Sequence, residues 1–211
     1  MAEVSPASRH QGGVDLQALL DRAAVREAVE NWGLWRDSGR FEQLRSLYTP
    51  DAIVHTTWFV GSAAEFIERS SKGGGRSQHF IGAVCVELNA DRAIAETRAV
   101  LLLRALVHDV EVDVTCYLRF YDWFLRTDAG WRIRMRNGIY EKDRIDPVDP
   151  LKTVSLDRAA LAGYPAGYRH LAYIQASGGA RITPDLPTPN SKELARLYSE
   201  GNAWLKGEEA A

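Results

Sequence analysis

The chain has 211 residues, of which 45% are hydrophobic and 26% are charged, and its formal net charge is −2. This composition is ordinary for a globular protein and excludes an intrinsically disordered chain. Because 26 basic residues nearly balance 28 acidic ones, we expect neither nucleic acid nor a membrane surface as a partner.

The sequence carries no recognisable targeting or membrane-spanning segment. Residues 1–13 lack the apolar core of a signal peptide, and the most apolar run, residues 99–107, is short and contains Arg104. We therefore predict a cytoplasmic protein. We also predict that residues 1–14 form a flexible N-terminal tail.

The first predicted element is an amphipathic helix. Apolar residues recur at helical spacing from Leu16 to Trp35, which favours a helix with one buried stripe. Asp15 stands immediately before this stripe, where its carboxylate can cap the first free backbone N–H groups. The pair Ser38 and Gly39 predicts the end of the helix.

Three further elements precede a long β-rich region. They are a short helix, a strand and another helix, predicted at residues 41–48, 52–59 and 64–71. Ser62 and Glu65 have the spacing of a capping box at the start of the last of these. The glycine run that follows, residues 73–75, lacks the spacing of a phosphate-binding loop and predicts a mobile flap.

The β-rich region predicts an antiparallel sheet. It contains four long segments separated by hairpin-length connections, at residues 79–88, 93–107, 110–125 and 131–140. Helices followed by a strongly curved sheet define an α+β domain over residues 15–150. In the last segment, alternation predicts one face with Trp131, Ile133, Met135 and Ile139. It predicts a solvated row of Arg132, Arg134 and Arg136 on the other face.

Residues 151–211 form a C-terminal extension of a different kind. Prolines punctuate it, and its three short helical patterns contain too few apolar residues to fold alone. We expect the extension to pack on the domain or on a neighbouring subunit, and the protein to be a homo-oligomer, either a dimer or a trimer.

Three segments resemble the NTF2-like, or SnoaL-like, superfamily and its scytalone dehydratase-like group. They are the opening helices with the first strand, the stretch RSQHFIG, and the closing strand, at residues 21–55, 76–82 and 130–150. The resemblance covers roughly residues 15–150 and implies an NTF2-like cone in which helices pack on the curved sheet.

The resemblance also implies a catalytic pair. In the dehydratases and dehydrochlorinases that share this cone, an aspartate near the end of the first helix orients a histidine that acts as the base of an elimination, and the matching residues here are Asp37 and His79. The sequence departs from the pattern elsewhere. Thr97 stands at the position of a second histidine, and Arg36 replaces a tyrosine. The substrate-holding asparagine has no clear counterpart, although Asn137 on the last strand can approach the pocket from another side.

The residues themselves allow two interpretations of this pair. A histidine base needs an accessible ring nitrogen and a fixed tautomer, and a carboxylate on its other nitrogen provides the second requirement. Alternatively, Asp37 caps the end of a helix and His79 is a solvated residue at the edge of a strand.

The other histidines and the cysteines predict no metal site. His55 lies on the first strand, where alternation can direct it into a cavity, whereas three histidines are interpreted as surface residues: His10, His108 and His170. None of the five has metal-ligand spacing. Cys85 and Cys116 have neither metal-type nor redox-type spacing, so we predict two buried free thiols and no cofactor.

Five aromatic residues serve either as core or as a wall for a flat substrate: Tyr48, Trp58, Phe59, Trp123 and Trp131. The predicted substrate-binding residues are His55, Tyr48, Trp58 and Asn137. Two functions remain open. The first is a cofactor-independent lyase (dehydratase) or isomerase/cyclase that acts on a small cyclic or aromatic carbonyl metabolite. The second is a non-catalytic binding or assembly subunit, such as the small subunit of a ring-hydroxylating dioxygenase, since one fold serves both.

Overall fold

A computed structural model describes residues 15–73 and 76–208. The predicted tail, residues 1–14, and Gly74 and Gly75 of the predicted flap lie outside the described residues. The elements are, in chain order, α1 (Leu16–Asp37), α2 (Phe41–Ser46), β1 (Tyr48–His55), β2 (Val60–Ser62), α3 (Ala63–Lys72), β3 (Arg76–Asn89), β4 (Arg92–Val107), β5 (Val110–Thr127), β6 (Gly130–Pro147), α4 (Arg158–Ala162), α5 (Arg169–Ser177) and α6 (Lys192–Lys206).

The helix starts follow from local side chains. The Asp15 carboxylate accepts hydrogen bonds from the backbone N–H groups of Gln17 and Ala18, and the Ser62 hydroxyl accepts one from the backbone of Glu65. Each bond satisfies a donor that has no partner inside its helix. Both predicted N-caps are therefore confirmed. None of the described helices is both long and apolar enough to span a membrane.

The six strands form one curved, unclosed sheet in the order β2-β1-β6-β5-β4-β3. The predicted antiparallel hairpins are present between β3 and β4, between β4 and β5, and between β5 and β6. β1 pairs parallel to β6, so the sheet is mixed. His108 and Asp109, which connect β4 to β5, have φ angles of 46° and 64°, as a two-residue type I′ turn requires. The α+β class and the NTF2-like cone are confirmed.

Irregular register in β6 changes which side chains face the core. Phe124 pairs with Ile133 while the preceding Trp123 pairs with Met135, so Arg134 is an extra residue in the strand. Such a bulge reverses the alternation. Ile133 and Arg136 consequently share the inner face, whereas Met135 packs toward α6. The predicted solvated arginine row is wrong for Arg136, which is fully buried.

The C-terminal extension covers both faces of the sheet. On the inner side, α5 buries Leu171 and Ala172 completely, and the backbone N–H of Thr183 donates to the carbonyl of Thr57. On the outer side, α6 lies so close to the sheet that a Cβ on Gly201 would clash with the hydroxyl of Tyr121. Both helices thus bury apolar residues of the extension on its own domain, whereas Leu151 at its start is exposed.

The two cysteines differ in exposure. Cys116 is a free, buried thiol on the inner face of β5, as predicted, whereas Cys85 is free and exposed on β3. The prediction of two buried thiols is therefore wrong for Cys85. Its neighbours Val84 and Val86 pack on the main core, so alternation along β3 directs the Cys85 side chain to the other face of this edge strand.

Candidate functional site

A cavity of about 380 Å³ lies between the inner face of the sheet and the helices. This volume lies near the lower end of the range found for small-molecule sites. Most of its lining surface is apolar. Four of its seven large apolar side chains are aromatic; the seven are Trp32, Trp58, Phe66, Leu101, Leu103, Leu118 and Phe120. Polar side chains also line the cavity, and besides those described below they belong to Thr56, Thr57, Ser70, Ser77 and Tyr140.

Asp37 and His79 meet at the wall of this cavity. Asp37 is the last residue of α1, and His79 lies on β3. The His79 Nδ1 atom lies 2.8 Å from Asp37 Oδ1, and the His79 backbone N–H donates to Asp37 Oδ2. Because a carboxylate only accepts, Nδ1 carries the proton and Nε2 has a free lone pair. His79 lines the cavity, and 9% of its side chain is exposed.

Aromatic rings surround the imidazole. The Trp32 ring meets it edge-on at 5.1 Å between centroids, and the Phe120 ring lies at 6.2 Å. Burial lowers the pKa of His79, and the hydrogen bond and negative charge of Asp37 only partly oppose this effect. The histidine is therefore neutral at physiological pH, which is the form that accepts a proton.

A buried arginine, Arg136, lines the same cavity. Arg136 makes a two-pronged ion pair with Asp122, at 2.7 and 2.6 Å, and its guanidinium carbon lies 4.0 Å from the Trp32 ring centroid and 4.3 Å from that of Phe120. Its Nη1 has no hydrogen-bond partner within the described residues. Alternation in the sequence placed Arg136 on the solvated face, because it gave no sign of the bulge at Arg134 that turns this side chain inward.

The four predicted substrate-binding residues lie in three places. Trp58 lines the cavity. Tyr48 lies behind the wall, where its hydroxyl accepts a hydrogen bond from Trp32 Nε1 at 2.6 Å and burial raises its pKa to about 12. His55 and Asn137 are paired across β1 and β6 and are not part of the cavity wall.

The position of His55 follows from strand alternation. Its neighbour Val54 belongs to the main core, so His55 points to the opposite face, toward α6. Burial lowers the pKa of His55, with smaller and opposing contributions from Glu200 and Arg196 of that helix. Thr97, at the position of the related dehydratases' second histidine, is buried on β4 and does not belong to the cavity wall.

Arg36 and Gln175 also line the cavity, and the sequence did not single out either of them as a binding residue. Arg36 comes from the last turn of α1, next to Asp37. Gln175 comes from α5 in the extension, together with the neighbouring backbone at Gly178 and Ala180. No local signal marks Gln175, because its position depends on how the extension folds back over the domain. Among the described residues, no cluster of three or more His, Cys, Asp or Glu could hold a metal ion.

The profile of the SnoaL-like domain family matches residues 17–137. Two relatives come from Fusarium vanettenii, and each covers 90% of this chain and 88% of its own length. They are a PEP2-like protein, 33% identical over 205 residues, and pea pathogenicity protein 2, 33% identical over 204 residues.

Solved structures share the fold. A type 2 hexachlorocyclohexane dehydrochlorinase superposes with a TM-score of 0.56 at 15% identity, covering 67% of this chain and 98% of that one. A candidate scytalone dehydratase from Novosphingobium aromaticivorans superposes with a TM-score of 0.54 at 14% identity, covering 67% of this chain and 100% of that one. Likeness at these identities shows the fold alone.

Proposed function

This chain belongs to the SnoaL-like family, and from that premise we propose that it is a lyase or isomerase that removes a proton next to a carbonyl group. The observation that carries the proposal is the Asp37–His79 pair at the wall of an apolar cavity. The substrate is a small cyclic or aromatic carbonyl compound, because the wall is mostly flat aromatic and branched aliphatic surface.

In the proposed reaction His79 is the general base. Asp37 holds the imidazole by Nδ1, so Nε2 faces the substrate with its lone pair free. The same carboxylate stabilises the imidazolium that forms when Nε2 takes the proton. The backbone N–H of His79 occupies the second carboxylate oxygen, which keeps the Asp37 carboxylate in one orientation.

The atoms balance for a dehydration of a β-hydroxy ketone. Nε2 of His79 removes the proton from the carbon between the carbonyl and the carbon that bears the hydroxyl. The electrons of that C–H bond form an enolate and then the C=C bond, while the C–O bond to the hydroxyl breaks. The imidazolium returns its proton to the departing hydroxyl as water. In an isomerisation it would instead return the proton to another carbon.

The surroundings favour this chemistry over reaction in water. The aromatic wall keeps His79 neutral before the reaction, and Arg136 places a positive group on the same wall, where the enolate oxygen gains negative charge. Positive charge that is already oriented stabilises such an anion without a further reorganisation cost. Asp122 holds Arg136 by two hydrogen bonds, so the guanidinium is fixed in position.

The test is turnover of cyclic β-hydroxy ketones. With 3-hydroxycyclohexanone and 3-hydroxy-1-tetralone, loss of water gives cyclohexenone and 1-naphthol, which are followed by ultraviolet absorbance and mass spectrometry. Turnover that requires His79 supports the proposal. If turnover occurs but His79→Ala leaves its rate within about threefold, well short of the range for a general base, the Asp–His mechanism is wrong and a binding role for this cavity gains support.

A further inference from the structure

Arg36 is a cation in the cavity wall that lacks an acceptor of its own. Its side chain is 18% exposed, and its Nη1 lies 3.9 Å from Asp37 Oδ1, beyond hydrogen-bond distance. Within the described residues its buried Nε donates to no acceptor. Both oxygens of Asp37 already accept hydrogen bonds from His79. The nearby carboxylate is thus oriented by the histidine and not by the arginine.

The other two arginines of the cavity wall are paired differently. Arg136 holds Asp122 through two hydrogen bonds, and Arg69 contacts Glu65 at 2.6 Å. Arg36 alone shares its carboxylate with the proposed base. When His79 takes a proton, the single negative charge of Asp37 faces two cations, so an anionic ligand would restore the balance.

Burial makes this arrangement costly without a ligand. Burial lowers the pKa of Arg36, and the charge of Asp37 opposes that shift. A position in the last turn of α1 is favourable for a cation because of the helix dipole, but that effect does not require a place in the cavity wall. Guanidinium groups bind carboxylates and other oxyanions well because their N–H donors form a planar fork.

Gln175 supplies a second contact of the opposite kind. Gln175 lies on α5 and lines the cavity. Its Oε1 is buried and accepts no hydrogen bond within the described residues. A buried acceptor without a partner is unfavourable, and a ligand hydroxyl would satisfy it. The cavity wall therefore includes a cationic donor, Arg36 Nε, and a neutral acceptor, Gln175 Oε1, that have no hydrogen-bond partner among the described residues. Arg136 Nη1 and the Ser70 hydroxyl of the same wall also lack one.

We propose that the cavity selects a ring compound with an anionic oxygen, which pairs with Arg36, and with a hydroxyl group, which donates to Gln175. This inference rests on the proposed function, since it names the substrate class of the same site. The anionic oxygen is either a carboxylate or an ionised enol. Arg36 thus determines which ring compounds the cavity selects.

The test is equilibrium binding by calorimetry, which needs no turnover. The probes are 6-hydroxy-2-naphthoate, 2-naphthoate and the methyl ester of each, with 2-hydroxy-1,4-naphthoquinone as the ionised enol. We expect the carboxylates to bind at least about tenfold more tightly than their esters, the difference expected for one charge-assisted hydrogen bond. Tight binding by the naphthoquinone but not by the naphthoates would identify an enolate as the anion.

Variants assign the two contacts. Arg36→Met should lower the binding affinity for the carboxylates by about 10- to 100-fold and leave the affinity for the esters nearly unchanged. Arg69→Met is the matched control, with a smaller effect expected because Glu65 already balances that charge. Gln175→Leu should lower the affinity for 6-hydroxy-2-naphthoate by about 3- to 10-fold relative to the affinity for 2-naphthoate. Thermal melting of each variant checks that it remains folded.

Three results would overturn the inference: esters that bind as tightly as carboxylates, an Arg36→Met effect equal on both, or no binding by any anionic probe. The outcome is separable from the proposed function. Selective anion binding without turnover of any hydroxy ketone would leave Arg36 as a ligand contact and reject the lyase. Turnover with no preference for anions would reject this inference alone.

Discussion

Two Asp–His pairs with almost the same geometry lie in different parts of this molecule. In each, the histidine Nδ1 is 2.8 Å from one carboxylate oxygen, as in His79 with Asp37 and His170 with Asp143. In each, the other carboxylate oxygen accepts a backbone N–H, from His79 itself or from Leu171. The orientation of the imidazole is therefore the same in both.

Their surroundings differ. His79 lies among aromatic rings and faces the cavity. His170 is the second residue of α5 and joins the extension to β6, with 24% of its side chain exposed. Asp143 is fully buried beneath it. The comparison teaches that a carboxylate-oriented histidine is not in itself a catalytic unit. A neighbouring cavity that can hold a substrate is the additional requirement, and His79 lines the aromatic cavity described above whereas His170 does not.

The largest expected effect tests this distinction directly. His79→Ala should lower turnover by about 10²- to 10⁴-fold, the contribution of a positioned general base. Asp37→Asn should cost nearly as much, because the amide removes the charge that stabilises the imidazolium. The two residues act as one unit, so the double variant should be little worse than either single one.

The second pair supplies the control for that experiment. His170→Ala makes the same substitution in the same local geometry, and we expect turnover to stay within about threefold of the unmodified protein, below the general-base range. The measurement is the steady-state turnover rate on one substrate for His79→Ala, Asp37→Asn, the double variant and His170→Ala. A loss in His170→Ala as large as that in His79→Ala would contradict the assignment of the base to the cavity-side pair.

The next effect concerns the wall that supports His79. Asp122→Ala leaves Arg136 charged, buried and unpaired, which should lower the free energy of unfolding by about 3–5 kcal/mol. Replacing both residues with apolar ones, Asp122→Leu with Arg136→Met, should cost less because no unpaired charge remains. Denaturant unfolding measures both. Equal losses in the single and double variants would show that packing, and not charge, dominates this wall.

A smaller loss of stability is expected at the second pair. Asp143→Ala removes the acceptor of both His170 and the Leu171 backbone N–H, and should lower the unfolding free energy by about 1–3 kcal/mol. His170→Ala should cost less, because the backbone bond to Asp143 remains. Calorimetric melting tests this. An unchanged melting temperature in Asp143→Ala would mean that the apolar contacts of α5 hold the extension without the pair.

The smallest effect is a dependence on pH. Burial holds the pKa of His79 below its ordinary value in the folded protein, so the unfolded chain binds the proton more readily. The His79 contribution to stability is therefore complete above about pH 6.5 and is lost as the pH falls below it. Turnover should fall at lower pH still, as the folded histidine protonates.

Two measurements test this pH dependence. The acid limb of kcat/KM should have its midpoint below about pH 6.5, and His79→Gln should reduce the dependence of unfolding free energy on pH in the same range. A midpoint above that value would mean that Asp37 outweighs burial in setting the pKa of His79.

The order of the elements could be predicted from the sequence because its signals are local. The Asp15 and Ser62 caps act within one helical turn, and the four long strands follow from β-branched and aromatic residues between short turns. The pairing of Asp37 with His79, 42 residues apart, came only from family resemblance. No spacing rule connects the end of a helix to an edge strand.

By itself, then, the sequence determined the α+β class, the helix starts and the hairpin order, since each depends on neighbouring residues. Tertiary structure decided which side chains reach the cavity. One extra residue at Arg134 turns Arg136 inward, alternation from Val54 turns His55 outward, and the folded-back extension brings Gln175 to the wall. These placements depend on strand register and on contacts between distant segments, which a local pattern does not encode.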